Sequence, residues 1–387
     1  MSALLARESI IGLAKETTPN TYVAPTIYLP VMNPAPEDHI TALKDTSIAA
    51  NDTTLQGMYP GPMESSYAFD MNGYPVECGY LLAGILGTDT VTGGTAVTTT
   101  VATGGITAGT STVPLTASVP VNSTLVIGTG ATKEARQVIS ITGAGPYTAT
   151  VDAPFTYAHI ATEAATTGTM HTIKQATFPQ PQIPSWSITD YQGTDTRGYA
   201  GCKIEQLGIK IDPKGLLTFS PQFRAIGSAS QSQPTPTYTA SEPLLGWQWK
   251  ITNGGTLSTR GLSADLTLKR VTEAIASSDG TQQAREVFAG AFEVTGTVTE
   301  IFDASTDRDT FLNYTQTSNL GLHLSSPRTS AGLSLFLSKP GVETFKVERS
   351  GADTYQRATF TIDGIYNATD GGAMSAYLTN TKTTVYV

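Results

Sequence analysis

Apolar and polar positions alternate along much of the chain with the period of two that marks half-buried β-strands. The pattern is clearest from residue 243 to the end. Leu266 and Leu268 alternate, then Phe292, Val294 and Val298, then Leu320, Leu322 and Leu324. Leu333, Leu335 and Leu337 follow, then Phe345 with Val347 and Phe360 with Ile362, and a Thr-rich strand runs from Ser375 to Val387. Earlier, Leu207, Ile209 and Ile211 alternate up to the turn Asp212-Pro213-Lys214-Gly215, and Leu217, Phe219 and Phe223 continue beyond it. Pro221 marks a bulge or an edge there. Trp186 with Ile188 predicts another strand, and so does Met63 to Met71, with Tyr67 and Phe69 on one side. Helical spacing is confined to two short runs. One is 76–86, mostly buried, with Gly87 as its C-cap. The other is 307–317, where Thr306 and Asp309 resemble a capping box and Phe311 and Tyr314 share a face. The chain is therefore mainly β.

Punctuation divides it further. Residues 1–61 carry Pro19, Pro25, Pro30, Pro34 and Pro36 and little regular period, and read as an N-terminal arm with extended loops. Residues 88–165 form a Thr/Gly/Ala/Val-rich island with short β-branched runs, and read as a small all-β module inserted into a larger domain. That larger domain is discontinuous, 62–87 with 166–227. A Ser/Gln/Thr/Pro stretch at 228–242 reads as a linker, and 243–387 as a second domain. Both domains carry a short helix and then long alternating strands, which suggests an internal duplication.

Composition narrows the function. Of 387 residues only 14% are charged, against a typical ~25%. The surface is then neutral and polar, or covered by partner subunits, because a buried contact tolerates few unpaired charges. The formal charge of -9 disfavours tight nucleic-acid binding, which depends on cations displacing counterions from phosphate. Cys78 and Cys202 are too few for a disulfide framework or a structural zinc site, and His39, His159, His171 and His323 show no metal-ligand spacing. No phosphate loop and no GxSxG elbow occurs. Glu293 and Glu300 fall on opposite faces of an extended segment, and Asp303, Asp307 and Asp309 suit the charge at a helix start. Nothing points to an enzyme, a cofactor or a metal, and no apolar stretch approaches the ~20 residues of a membrane span. Trp247 and Trp249, two apart, are candidates for an interface or core anchor, with a sugar platform as the other reading.

The opening ARESIIGLAKETTPNTYVAPTIYLPV resembles the start of phage tail tube proteins, in a phrase carried here by Gly12, Glu16, Thr18, Thr21 and Pro25. Asn20 stands where a glycine is usual, a mild change because Asn also tolerates φ > 0. The stretches SWSITDYQGTDTRGYAGCKIEQLGIKIDPKGLLTFSPQFRAIG and TFTIDGIYNATDGGAMSAYLTNTKTT are similar to the same family, and TLVIGTGATKEARQVISITGAGPYTATVDAPFTYAH resembles small β modules of phage structural proteins. The resemblance implies two tandem tail-tube domains, β-sandwich or barrel-like, each with a short flanking helix, and the inserted module beside them. It implies a virion protein of a long-tailed, non-contractile phage, made in the host cytoplasm, whose rings stack into a hollow tube for DNA delivery. Expected partners are further copies of the chain, in trimeric rings of pseudo-sixfold symmetry with hexameric rings as the alternative, together with tape measure, tail tip and terminator proteins. DNA passes through without being held, past a lumen expected to be acidic and neutral. Tyr22, Val23, Ile27 and Tyr28, apolar and set between prolines, are the candidate ring-to-ring contacts. The other reading of the same chain is a non-enzymatic receptor- or carbohydrate-binding virion protein of a capsid or tail tip.

Overall fold

Long antiparallel strands form wherever alternation lets one row of side chains be buried while the other stays in water. The computed structural model describes residues 5–47, 55–92, 96–176, 182–239, 241–303, 308–309, 319–349, 355–368 and 370–387. Its frame consists of β1 (Val31–Asp45), β2 (Gly57–Asn72), α1 (Glu77–Leu86), β3 (Thr196–Ile211), β4 (Thr218–Ala225), β5 (Gly261–Ile275), β6 (Glu286–Ile301), β7 (Pro340–Glu348) and β8 (Arg357–Gly364). The eight strands pair in the order β1-β2-β4-β3-β5-β6-β8-β7, antiparallel throughout.

That order is one four-strand figure drawn twice. β1 and β5 each have 15 residues, β2 and β6 each 16, and β4 and β8 each 8. The irregularities repeat as well. The β1–β2 ladder slips between Ile40 and Ala42, and β5–β6 between Arg270 and Thr272, the same distance from the strand starts. The β3–β4 ladder slips between Ile204 and Gln206, and β7–β8 between Val342 and Thr344, again at matching places. A bulge bends and twists its strand, so two sheets with matching bulges have matching shapes.

The repeat does not yield two separate bodies. β3 pairs with β5 from Gln206↔Lys269 to Ile211↔Ala264, which welds the halves into one sheet. A seven-stranded sheet mixes them again, since Thr169–Gln175 pairs with Gly87–Thr92 on one side and Ser375–Asn380 on the other. One apolar core lies between, joining Tyr67, Phe219, Leu81, Leu266, Leu322 and Ile362. α1 is buried almost all round, as its Leu81-Leu82-Ala83-Gly84-Ile85-Leu86 run requires. Gly87 ends it at φ 104, a left-handed position that suits glycine.

Several sequence expectations are revised. Residues 1–61 supply regular structure: Ile10–Lys15 pairs with Trp186–Tyr191, Ile27–Tyr28 with Ile10–Lys15, and β1 is a full-length strand. The prolines misled because β1 lies at the sheet edge, where Pro34 and Pro36 are tolerated. Gly227–Ser230, at the start of the linker stretch, pairs with β3. The expected helix at 307–317 lies outside the described residues except for Arg308 and Asp309, which are helical.

The compositional island has its own six-stranded sheet and a separate core of Val113, Leu115, Leu125, Val138 and Phe155. It leaves the body between Gly87–Thr92 and Thr169–Gln175, two strands paired with each other. Their counterparts in the repeat are Leu320–Ser326 and Ala331–Leu337, joined by residues 327–330 alone. The whole module thus stands where the second half has a tight turn, and residues 88–92 belong to the body. Its ends are held together by the ladder of the body. Replacing residues 97–167 by a short Gly/Ser turn should leave a cooperatively folding protein whose circular dichroism is still that of a β protein. Loss of soluble, protease-resistant protein would show that the body depends on the module.

His323, in the seven-stranded sheet, is wholly buried and its Nε2 lies 2.9 Å from Thr252 Oγ1. Burial, outweighing the nearby Asp152 carboxylate, pushes its imidazole down to about 4. The unfolded chain therefore takes up a proton near pH 6.5 that the native state refuses until about pH 4. Stability should fall across that window as pH drops, by up to ~3 kcal/mol. Denaturant melts of wild type and His323→Gln check this: the variant should lose most of that slope, and an unchanged slope would exclude His323 as its source.

Candidate functional site

The phrase around Gly12 to Pro25 is a structural clasp. After Ile10–Lys15 the chain turns back, and the buried Glu16 carboxylate holds the turn. It accepts hydrogen bonds from the Asn20 backbone N–H at 2.7 Å, Ser187 Oγ at 2.9 Å and the Gly201 N–H at 2.7 Å. Asn20 sits at φ 66, the left-handed conformation anticipated from its replacing glycine. A Cβ on Gly12 would fall 2.3 Å from that of Pro25, so the glycine is what lets the returning chain lie down. Tyr22, Val23, Ile27 and Tyr28 are carried by this return and are half-buried against their own chain. Tyr22 shares a hydrogen bond with Thr189 Oγ1 at 2.7 Å, the Val23 N–H donates to Ser187 Oγ at 2.9 Å, and Ile27 packs on the core. Tyr28 meets Tyr238 edge-on, ring centres 6.2 Å apart.

Trp247 and Trp249 are not brought together. A 3₁₀ turn, Gly246–Gln248, breaks the extended segment, leaving Trp247 66% exposed while Trp249 joins the core. They form no shared stacking platform.

The broad candidate surface is the polar face of the eight strands β1 to β8, which belong to a twelve-stranded sheet. Its core face carries Tyr67, Phe223, Leu207, Leu268, Val294 and Ile362. Its other face carries hydroxyls, such as Thr295, Thr297 and Thr361, and charges of both signs. The charges are matched across strands: Lys210 lies opposite Asp265 and Lys269 opposite Glu293, while Arg224 contacts Glu64 and Glu205, each at 3.4 Å. Cations set beside acids in this way are poorly placed to replace the counterions of phosphate.

The two halves are locked by Arg270 of β5, which sequence reasoning passed over. It is only 2% exposed, and its Nε donates to Ile85 O at 2.8 Å and Nη2 to Leu86 O at 3.4 Å, the last carbonyls of α1. Nη1 donates to Gly290 O at 3.1 Å, and the guanidinium lies over the Phe292 ring. Burial lowers its pKa to about 10, still well above neutrality, so the cation stands at the negative end of the helix. A clue was present in the sequence: an arginine in a core-facing register of an alternating strand.

Among the described residues no three His, Cys, Asp or Glu side chains gather as metal ligands, and no helix is long and apolar enough to cross a membrane. His171 is paired with Asp89 at 2.9 Å, both buried, and Asp89 also accepts from the Tyr386 N–H, so this pair pins the C-terminal segment. Cys78 and Cys202 are fully buried, and burial pushes both thiols up, which makes them inert. Asp303 is bound to Arg260 at 2.7 Å, and Asp307 lies outside the described residues. Compared with known families, residues 6–364 match the phage tail tube protein family. The chain belongs to that family. No curated protein matches it. A tail tube protein is a structural component of the virion tail, and the surfaces above are those of a building block.

Arg270→Met keeps the bulk and removes the donors to three buried carbonyls. Chemical denaturation of this tail tube protein should show a loss of about 2–3 kcal/mol, after recovery of part of the cost of burying a cation. An unchanged midpoint would mean that the lock contributes nothing.

Proposed function

We propose that three copies of this tail tube protein close into a ring, that rings stack into a hollow tube, and that the tube is the conduit for DNA delivery into the host. The observation that carries this reading is the doubled four-strand figure with a free edge at each end, β1 and β7. Each chain then supplies two tandem tube units, and three chains give six similar units about the axis. Strand spacing sets the width of either ring. At ~4.8 Å between strands, twenty-four strands give a circumference of ~115 Å and a width of ~37 Å before tilt widens it, whereas six chains would double both.

The polar face of the eight-strand sheet lines the channel in this reading. In place of the acidic and neutral lining expected from composition, this reading gives one in which hydroxyls alternate with charges of both signs. DNA is neither gripped nor strongly repelled by such a wall. The surface around Tyr22, Val23, Ile27 and Tyr28, extended by Tyr238, is proposed as one side of the ring-to-ring contact. Tape measure, terminator and tail tip proteins would meet the tube along its lumen and at its two ends. The inserted module is proposed as an outer decoration.

Electron microscopy of concentrated protein, with native mass measurement of single rings, tests the assembly. Stacked rings of three chains are expected. Six chains per ring would overturn the tandem-unit reading, and a strictly monomeric protein would overturn tube formation.

A further inference from the structure

The junction between the two halves of one chain is a template for the junction between two chains. Within the chain, β5 pairs with β3, and the tip of the β5–β6 hairpin folds back over the first half. There Ala284 and Val287 bury against Ile226, and the Ala284 N–H approaches Met63 O at 3.2 Å and Ile226 O at 3.3 Å. Counting from the shared strand ends, Ala284 and Val287 correspond to Leu55 and Met58 of the first hairpin, while Ile226 and Met63 correspond to Ile365 and Phe292 of the second half. The burial of these matched positions differs sharply. Ala284 and Val287 are 5% and 0% exposed, Leu55 and Met58 are 50% and 66% exposed. Tyr59 and its counterpart Phe288 are both exposed, so the contrast lies at Leu55 and Met58 alone. The first hairpin thus presents larger apolar groups than the second, and among the described residues they stay exposed.

We infer that β1 of one copy pairs with β7 of the next in the register that β5 takes on β3, with Leu55 and Met58 seated on the Ile365 and Phe292 side of that neighbour. This rests on the ring reading and adds its register and contacts. The pairing Gly208↔Thr267 becomes Lys346 opposite Glu37, a complementary pair on the polar face. The pairing Leu207↔Leu268 becomes Phe345 opposite Asp38, whose carboxylate already accepts from Ser65 and Ser228. The seam between chains is therefore less apolar than the seam within a chain, and the hairpin tip supplies the apolar area that the ladder lacks. The register is narrowly specified. A slip of two residues sets Lys346 against Ala35 or His39, and a slip of one turns it to the other face.

Zero-length carbodiimide cross-linking of assembled tubes tests the register, in the Glu348→Gln background because Lys346 also contacts Glu348 at 2.9 Å. The expected result is a Glu37–Lys346 amide between chains, with covalent trimers on a denaturing gel. Rings that form without this link, or that join Lys346 to another carboxylate, overturn the inference and leave the ring reading standing. Absence of any ring in the uncross-linked wild type overturns both. Met58→Glu tests the tip: its exposed position should leave the melting temperature unchanged while assembly falls at least tenfold. Wild-type assembly of that variant would overturn the tip contact.

Discussion

Everything in this molecule answers to the problem of the unpaired strand edge. A β-sheet is finished only when its outer N–H and C=O groups have partners, and long strands make that debt large. Here β1 and β7 each end the sheet, and β1 is exposed along almost its whole length. Such an edge invites any passing strand, which for a soluble protein is a hazard. Pro34 and Pro36 remove two donors from β1, and its charged Glu37 and Asp38 penalise an indiscriminate partner. The edge is thereby made selective, open to a strand whose donors and charges fit and unattractive to others.

Selectivity of that kind is useful only if the two edges of one chain are held at a fixed angle, because small errors accumulate around a closed ring. Buried polar contacts in this protein serve that rigidity. Arg270 joins β5 to the end of α1, Glu16 clamps the N-terminal turn to residues 187 and 201, and the His171–Asp89 pair ties down the C-terminal segment. Each is expensive to bury, and each spans elements far apart in sequence. An apolar core alone would tolerate sliding, since dispersion contacts are non-directional. Directional hydrogen bonds at the seams restrict it.

Much of this was legible in the order of residues. Alternation located β3 through β6 and β8 because each has one face in the core, and Gly87 marked the end of α1 because only a left-handed residue fits there. β1 was not legible, and the reason is physical. A strand that faces water on both sides in the single chain has no apolar period to read, and prolines at an edge look like those of a loop. The boundary at 88–92 failed for a related reason, since Thr-rich edge strands share the composition of the module. The candidates Tyr22, Val23, Ile27 and Tyr28 were chosen as apolar and extended, and the chain half-buries them itself. The exposed apolar positions that stand out, Met58 and Tyr59, lie on the hairpin that the prolines concealed. Trp247 and Trp249 are two apart, a spacing that shares a face only in a strand, and a 3₁₀ turn intervenes.

The internal repeat gives the two kinds of junction different work. The seam within the chain forms during folding, at the effective concentration of a single molecule, and can afford a buried arginine and a continuous leucine pair. The proposed seam between chains would form by collision, and would be weak until several contacts engage together. Its counterpart positions are shifted in that direction: isoleucine at position 40 in place of Arg270, an aspartate in place of Leu268, and exposed methionine and leucine at the tip. Methionine and leucine can adapt to a neighbour that arrives as a separate body, whereas a guanidinium needs its acceptors already in place. The two halves thus share a shape, down to its bulges, while their chemistry differs in the way a permanent seam and the proposed seam of assembly require.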